Sequence, residues 1–514
     1  MNIPFYKNTT NINGIGQETK KTIYEFKGYN ANVTVEEGEF KEMENLSSTN
    51  YPCLSQRLPR KEIKSLTSPT ALFSKGEKLA YIDGTKFYFD GEEKGEVTEG
   101  KKQMVAMLNN IIIFPDKKYY DSAEDKFGDM EISTTISKPV FTATTITSTG
   151  AFKDFKVGDA VEVSGCTKYS ANNKTVIITD KTDDKLTFAS NTFTAGTEDS
   201  EEVKIARNVP DLDFICENNN RLWGCKGNNI YGSKLGDPFN FNVFAGLNND
   251  SYAVVVGTDG DFTGCVSFSS HILFFKEDYM HKLFGSKPAN YQMQQARCHG
   301  LQTDCEKSIQ VINETVYYKS RIGIMEYNGG IPENISLNFG NKRYGEAIAG
   351  TDGNKYYVSL KSGANWDLFV YDVLRGLWHR EDSTHVGEFC YNDGIIYYID
   401  NDTNKLMEMN APDGTEKIKW SGTLGEITEY SENKKIYSRI KMMIELEANS
   451  SIYIDISHDN GEFKNVYYRL STSRESFAIP IVPQRCDNFR IKVHGAGKCI
   501  IKSIVREYMQ GSEA

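Results

Sequence analysis

The chain has 514 residues, a net charge of −11 at pH 7, 39% hydrophobic and 12% aromatic residues. A mild acid excess argues against a surface that grips nucleic acid, and this aromatic content argues against disorder. With 42 Gly, 13 Pro, 29 Tyr and 28 Phe, short strands and tight turns are favoured over long helices.

No apolar run approaches the roughly 18–20 residues of a membrane helix, so no membrane insertion by this chain is expected. The opening MNIPFYKNTTNINGIG lacks a basic stretch followed by an apolar core, and no signal peptide is expected there. The 10 cysteines are scattered singly without a CxxC pair and read as small core residues in a reduced compartment.

In chain order, one unit recurs: a short aromatic-rich strand, a polar turn, and a second strand ending near Gly or Asn. It is seen at 79–91, 109–121, 219–238, 270–285, 313–329, 353–381 and 392–410. The later units start roughly 40–50 residues apart, the spacing of propeller blades with about four strands each. Each unit has too little apolar surface to fold alone, whereas sheets stacked radially bury both faces. Runs such as Ile272 to Phe275 and Val316 to Tyr318 have the continuous apolar pattern of buried strands. An unclosed series of sandwiches is the alternative architecture.

A Thr-rich interval breaks this rhythm between the second and third units. Val157-Gly158-Asp159 is a turn feeding alternating Val161 and Val163, and Val176/Ile178 and Leu186/Phe188 repeat the alternation. A small β-barrel-like insertion over 134–206 is therefore predicted, since lengthening a surface loop costs little closure entropy. From about 416 the blade rhythm gives way to period-two alternation: Ile440, Met442, Ile444 and Leu446, then Ile452, Ile454 and Ile456. That pattern predicts an antiparallel sandwich. The expected class is all-β: residues 1–133 hold an N-terminal segment and first blades, 134–206 the insertion, 207–415 the remaining blades of about seven, and 416–514 a β-sandwich.

Chemical motifs are sparse. The 7 His show no HExxH spacing; His379 and His385 are closest together and sit in strand and turn sequence. Asp400-Asn-Asp402-Thr-Asn404 starts like a calcium loop, but Lys405 and Ala411 stand where Gly and a bidentate Glu belong, so a hairpin turn is expected. Ser457-His-Asp459-Asn-Gly461 resembles the Asp-box turn of sialidase-type propellers, which is structural and not catalytic. Phosphate-loop, dinucleotide and nucleophile-elbow motifs are missing, so no cofactor and no metal are expected.

Two stretches carry a family resemblance. One is GEFKEMENLSSTNYPCLSQRLPR (38–60), with Asn45, Ser47, Ser48, Tyr51, Pro52, Arg57 and Arg60. The other is NNRLWGCKGNNIYGSKLGDPFNF (219–241), with Arg221, Trp223, Tyr231, Leu235, Gly236, Asp237, Pro238, Phe239 and Phe241. With 299–336 and 484–512, they resemble tailed-bacteriophage propeller proteins of the packaged-DNA-stabilisation, or tail accessory hub, type. The resemblance implies a non-enzymatic structural virion protein, made in the host cytoplasm. It implies a homo-oligomeric ring, often six-fold, beneath portal and adaptor, which retains DNA for ejection and attaches a tail needle, spikes or fibres.

An acidic subunit suits a conduit past which DNA slides without specific binding. The same fold also serves a second reading, a glycan-binding or glycan-cleaving propeller at the tail tip for host adsorption. A cellular propeller scaffold ranks last, without WD or kelch signatures. Asp237-Pro238 restricts the backbone to a turn, so the LGDP motif reads as a structural blade turn before a partner contact, stapled to the next blade by Phe239 and Phe241.

Overall fold

The structure, a computed structural model, describes residues 18–470 and 475–511. The opening stretch read for a signal peptide lies outside the described residues. Among the described residues strands dominate, and the helical segments are short 3-10 turns. By internal contacts the chain forms two compact units. One comprises Met1–Ser65, Gly323–Glu326 and Glu333–Ala514; the other comprises Leu66–Ile322 and Tyr327–Pro332.

The second unit holds four four-stranded sheets in which each strand pairs with its sequence neighbour. They run over Pro69–Lys75 to Glu92–Glu96, Gln103–Met107 to Lys126–Asp129, Phe214–Asn218 to Tyr252–Val255, and Gly264–Phe268 to Gln292–Arg297. The recurring sequence units fall on their hairpins: Asn110–Phe114 pairs with Lys118–Asp121, and His271–Phe275 with Tyr279–Phe284. The turns explain the tight spacing. Asn219 and Asn220 both take positive φ between the paired Asn218 and Arg221, a conformation that matches the strand twist and that Asn tolerates. Successive sheets share apolar clusters, for example Ile112, Phe114, Leu212 and Leu222, then Trp223, Cys225, Ile272 and Phe274.

The Thr-rich interval forms two small sheets. Ile132–Ile136 and Val203–Arg207 pair antiparallel from Ile132 with Arg207 to Ile136 with Val203, closing the segment at its base. Above that base, Phe141, Ile146, Phe152, Val161, Val163, Leu186 and Phe188 form a core of their own. Thr-rich alternation suffices for this because each strand needs only one apolar face.

The first unit holds two further four-stranded sheets. One is the meander Ala347–Thr351, Lys355–Ser362, Asn365–Asp372 and Leu377–Arg380. The other runs Val386–Asn392, Ile395–Asp400 and Lys405–Met409, and takes its outer strand from Lys61–Ser65, with Lys405 opposite Ser65. An edge strand that would otherwise present unpaired backbone groups is thus covered by a segment over 300 residues away in sequence. The Asp400 turn is a hairpin: its carboxylate accepts the N–H groups of Asp402 and Thr403 at 3.0 and 3.2 Å.

The remainder of this unit is a sandwich of a seven-stranded and a six-stranded sheet around one core. Lys435–Leu446, Ser451–His458, Phe489–Ala496 and Cys499–Gln510 supply its long strands. Thr19–Ile23, Gly28–Tyr29, Glu39–Glu44 and Leu54–Gln56 join the same sheets, placing Phe26, Phe40 and Met43 in that core. Gly28 is required there: with φ +79°, a Cβ would lie 2.3 Å from the Trp378 carbonyl oxygen. In the single Asp-box-like turn, Asp459 accepts the N–H groups of Asp487 and Asn488 at 2.6 and 3.2 Å, a structural role.

Candidate functional site

The residues singled out in the sequence lie in the third sheet of the second unit and beside the insertion. Arg221 is buried, and its guanidinium donates to the carbonyls of Ser233, Asp250 and Asn248 at 2.7, 2.5 and 3.0 Å. Trp223 is buried against Tyr252 and Tyr291, while Tyr231 packs at the edge of the Phe241 cluster. Asp237 caps its own turn, accepting the Phe239 N–H at 2.9 Å and the Asn240 side-chain amide at 2.6 Å. Gly236 takes φ +74° at this turn, and Leu235 is exposed.

The stretch that follows Pro238 meets the insertion. Asn240 donates to Asp159 at 3.0 Å and accepts the Ala160 N–H at 3.0 Å. Phe239 lies against Tyr119 and under the Arg207 guanidinium. Arg207 and Asp159, both buried, form an ion pair at 3.1 Å, and Arg207 also donates to the Met130 carbonyl at 2.8 Å. These residues hold the insertion on its base. Asn45, Ser48, Arg57 and Arg60 likewise serve a buried network in the first unit, where Arg57 grips Glu416 through two bonds of 2.9 and 3.0 Å.

The prominent concavity lies elsewhere in the second unit. Antiparallel pairing brings the first-strand starts Gln103, Phe214 and Gly264 opposite the second-strand ends Phe114, Cys225 and Phe275. It also brings Tyr279 opposite Arg297. All these termini fall at one end of their sheets, and the turns between them enclose a cleft of about 760 Å³. That volume is within the range of small-molecule and oligosaccharide pockets.

The cleft combines aromatic and charged groups. Of its aromatic lining residues, Phe214 and Tyr279 are half-buried and Phe114 and Phe262 belong to the sheet cores, and seven acids face three bases. Several charges are already engaged. Lys102 is buried on Asp116 at 2.7 Å, Lys101 reaches Asp304 at 3.3 Å, and Arg321 pairs with Glu277 and Asp278. Glu277 also accepts the N–H and hydroxyl of Thr303 at 3.2 and 3.1 Å.

Among the described residues, the side chains of Asp259, Asp261, Glu306 and Arg297 have neither hydrogen bond nor ion pair, and all four line the cleft. Asp259 and Asp261 sit on an exposed loop held from behind by Lys276. That lysine is buried, donates to the Thr258 carbonyl at 2.7 Å and to Asn228, and lies 5.0 Å from the Phe262 ring centroid. Burial pulls the Lys276 ammonium below its ordinary pKa, against the attraction of Asp261 and Asp259.

Sequence reading passed over these residues. The available signal was a set of acid-bearing turns: Thr-Asp-Gly-Asp at 258–261 and Asp304 with Glu306, each ahead of the first strand of a sheet, and Glu277-Asp278 within one hairpin.

No protein-family model and no curated protein sequence matches the chain. Solved structures similar to it include the exo-β-1,3-galactanase of Phanerochaete chrysosporium, at 10% identity over 57% of this chain and 94% of that one, with TM-score 0.23. Phage phi92 endosialidase aligns at 10% identity over 77% and 70% of the two chains, with TM-score 0.26. Hsv2 of Kluyveromyces lactis aligns at 9% identity over 62% and 98%, with TM-score 0.28. The expectation of a non-enzymatic chain is corrected here, because glycan-cleaving enzymes stand among the similar structures. With TM-scores below 0.5, any assignment of activity rests on the cleft's own residues.

Proposed function

We propose that this protein engages a glycan in the second-unit cleft, with Asp259, Asp261 and Glu306 as candidate carboxylates for its cleavage. The supporting observation is the cleft itself: the half-buried aromatics Phe214 and Tyr279 and the unpaired carboxylates of Asp259, Asp261 and Glu306 line one concavity of about 760 Å³. Sugars present apolar ring faces flanked by hydroxyls, which match aromatic wall beside hydrogen-bond acceptors. Glycoside hydrolysis uses two carboxyl groups across the scissile bond, one as acid and one as base or nucleophile. Carboxylates already committed to an ion pair, such as Asp278 on Arg321, are poor choices for that work.

The setting in this proposal is the tip of a phage tail, the context implied by the sequence resemblance, where the cleft would meet a host-surface glycan. The blades would then form a propeller ring of about seven sheets. The hub reading rests on that resemblance alone, whereas the cleft favours glycan engagement.

The test is a glycan array with the full chain and with Tyr279→Ala and Arg297→Ala, followed by reducing-end release from bound glycans. Binding lost in either cleft variant, with unchanged melting, supports the proposal. Release abolished in Glu306→Gln or Asp261→Asn adds hydrolysis. Binding that survives both cleft substitutions removes the cleft from the function.

A further inference from the structure

We infer that Lys276 and Asn228 are the two ends of an intramolecular isopeptide cross-link, formed by the chain itself, which joins the third and fourth sheets of the second unit. This goes beyond the glycan reading of the cleft and does not depend on it. Asn228 lies in the turn between Arg221–Lys226 and Asn229–Gly232, and Lys276 directly follows His271–Phe275. The lysine is 1% exposed. Its Nζ donates to the Asn228 carboxamide oxygen and, at 2.7 Å, to the Thr258 carbonyl, with the Phe262 ring centroid 5.0 Å away.

Among the described residues Lys276 makes no ion pair. A buried ammonium held only by neutral oxygens and a ring is costly, whereas the neutral amine is a nucleophile within reach of an amide carbon. Burial lowers its proton affinity, against the pull of Asp261, then Asp259 and Cys225. His281, which faces the same ammonium, is held by burial at about 4 and stays neutral. Both reacting groups are fixed: the Asn228 and Gly227 carbonyls accept the N–H groups of Val256 and Phe262 at 2.9 and 3.0 Å. Such positioning replaces an encounter between free groups by a reaction within one site.

Asp261 is placed to carry the protons. Its side chain is exposed and has neither hydrogen bond nor ion pair, and its Oδ1 lies 4.0 Å from where a Cβ on Gly227 would stand, beside the Asn228 turn. A turn about the Asn228 Cβ–Cγ bond presents the face of the carboxamide to Nζ. Lys276 first gives a proton to the Asp261 carboxylate. Nζ then bonds to Cγ, while Oδ1 takes the carbonyl electron pair and a proton. A second proton leaves Nζ, Oδ1 loses its proton and re-forms the double bond, and the Cγ–Nδ2 bond breaks with Nδ2 departing as ammonia. The net change is ammonium side chain plus carboxamide to secondary amide plus ammonium ion, with no oxidant or cofactor consumed.

The test is mass spectrometry of the full chain, intact and after trypsin, on protein held for days at neutral pH. The expected wild-type mass is short by one ammonia, with a branched peptide joining Asn228 to an uncut Lys276. Asn228→Asp should lose water in place of ammonia in the same branched peptide, and Asn228→Ala and Lys276→Arg should lose neither. Asp261→Asn should slow the loss about a hundredfold. A wild-type chain of full mass, with linear peptides over both residues, overturns the cross-link. So does an ammonia loss mapped to an Asn-Gly step such as Asn328-Gly329, where succinimide formation expels the same ammonia, or a branched peptide that survives in Asn228→Ala. An unchanged rate in Asp261→Asn overturns the role given to that residue.

Discussion

Replacing Arg207 by Met tests how the inserted segment is held. The substitution removes two contacts of 3.1 and 3.2 Å to the Asp159 carboxylate and one of 2.8 Å to the Met130 carbonyl. Both charged partners are buried, so the loss leaves Asp159 desolvated without its counter-ion. Breaking a buried pair from one side costs about 3–5 kcal/mol. Asp159 keeps the Lys156 N–H at 2.8 Å and the Asn240 amide at 3.0 Å, which places the effect near the lower end, about 3 kcal/mol.

A chain of this size need not unfold in one step, so the appropriate assay is native-state hydrogen exchange of amides in Ala160–Ser164 and Val203–Arg207. Protection there should fall about a hundredfold, since each 1.4 kcal/mol is a factor of ten. Adding Asp159→Asn should recover about 1 kcal/mol or more, because the stranded charge is then gone. A fall of less than about tenfold, or no recovery in the double variant, would refute the reasoning.

Other outcomes follow from individual groups. Burial raises the Glu198 carboxyl pKa, but N–H groups of Lys168, Tyr169, Asp199 and Ser200 outweigh it and hold the group at about 2, below the usual 4.5. Its stabilisation of the insertion is therefore present above about pH 4.5 and lost as pH falls toward 2. Glu198→Gln should flatten that acid transition in exchange of the 160–164 amides, and an unchanged transition would count against this role. Burial holds the His379 imidazole down at about 3, so unfolding takes up a proton between pH 6.5 and 3 and stability declines across that window. His379→Gln should remove this component of an acid titration followed by tryptophan fluorescence. Asp237→Ala, which strips two hydrogen bonds from its turn, should destabilise by about 1–2 kcal/mol on thermal melting. Normal melting with lost assembly would reassign that residue to a partner contact.

The recurring hairpins were legible because Ile111 to Phe114 or Ile272 to Phe275 announce buried strands locally, and Asn219-Asn220 announces the turn. The insertion was legible for the same reason, through Val161 and Val163. The partner of each strand was not. The segments Thr19–Ile23 and Glu39–Glu44 have ordinary strand sequences, and nothing local says that they join strands beyond residue 419. Lys61–Ser65, exposed along its length, gives no hint that it completes a sheet begun at Val386.

The LGDP motif was conspicuous because Asp, Pro and Gly each do something specific to a backbone, and Asp237 caps its own turn there. The cleft was hidden because its residues come from turns spread between Lys101 and Glu306, brought together only by the sheets between them. Acids in turns are common, and only the fold distinguishes those that face one another.

Hydrogen exchange of the full chain with and without a saturating oligosaccharide selected on the glycan array tests the central claim most directly. Occupancy of the cleft should slow exchange in the turns at 259–263, 277–279 and 303–306 and leave the sandwich strands unchanged. Protection confined to any other surface, or none despite saturation, would contradict the assignment of the cleft.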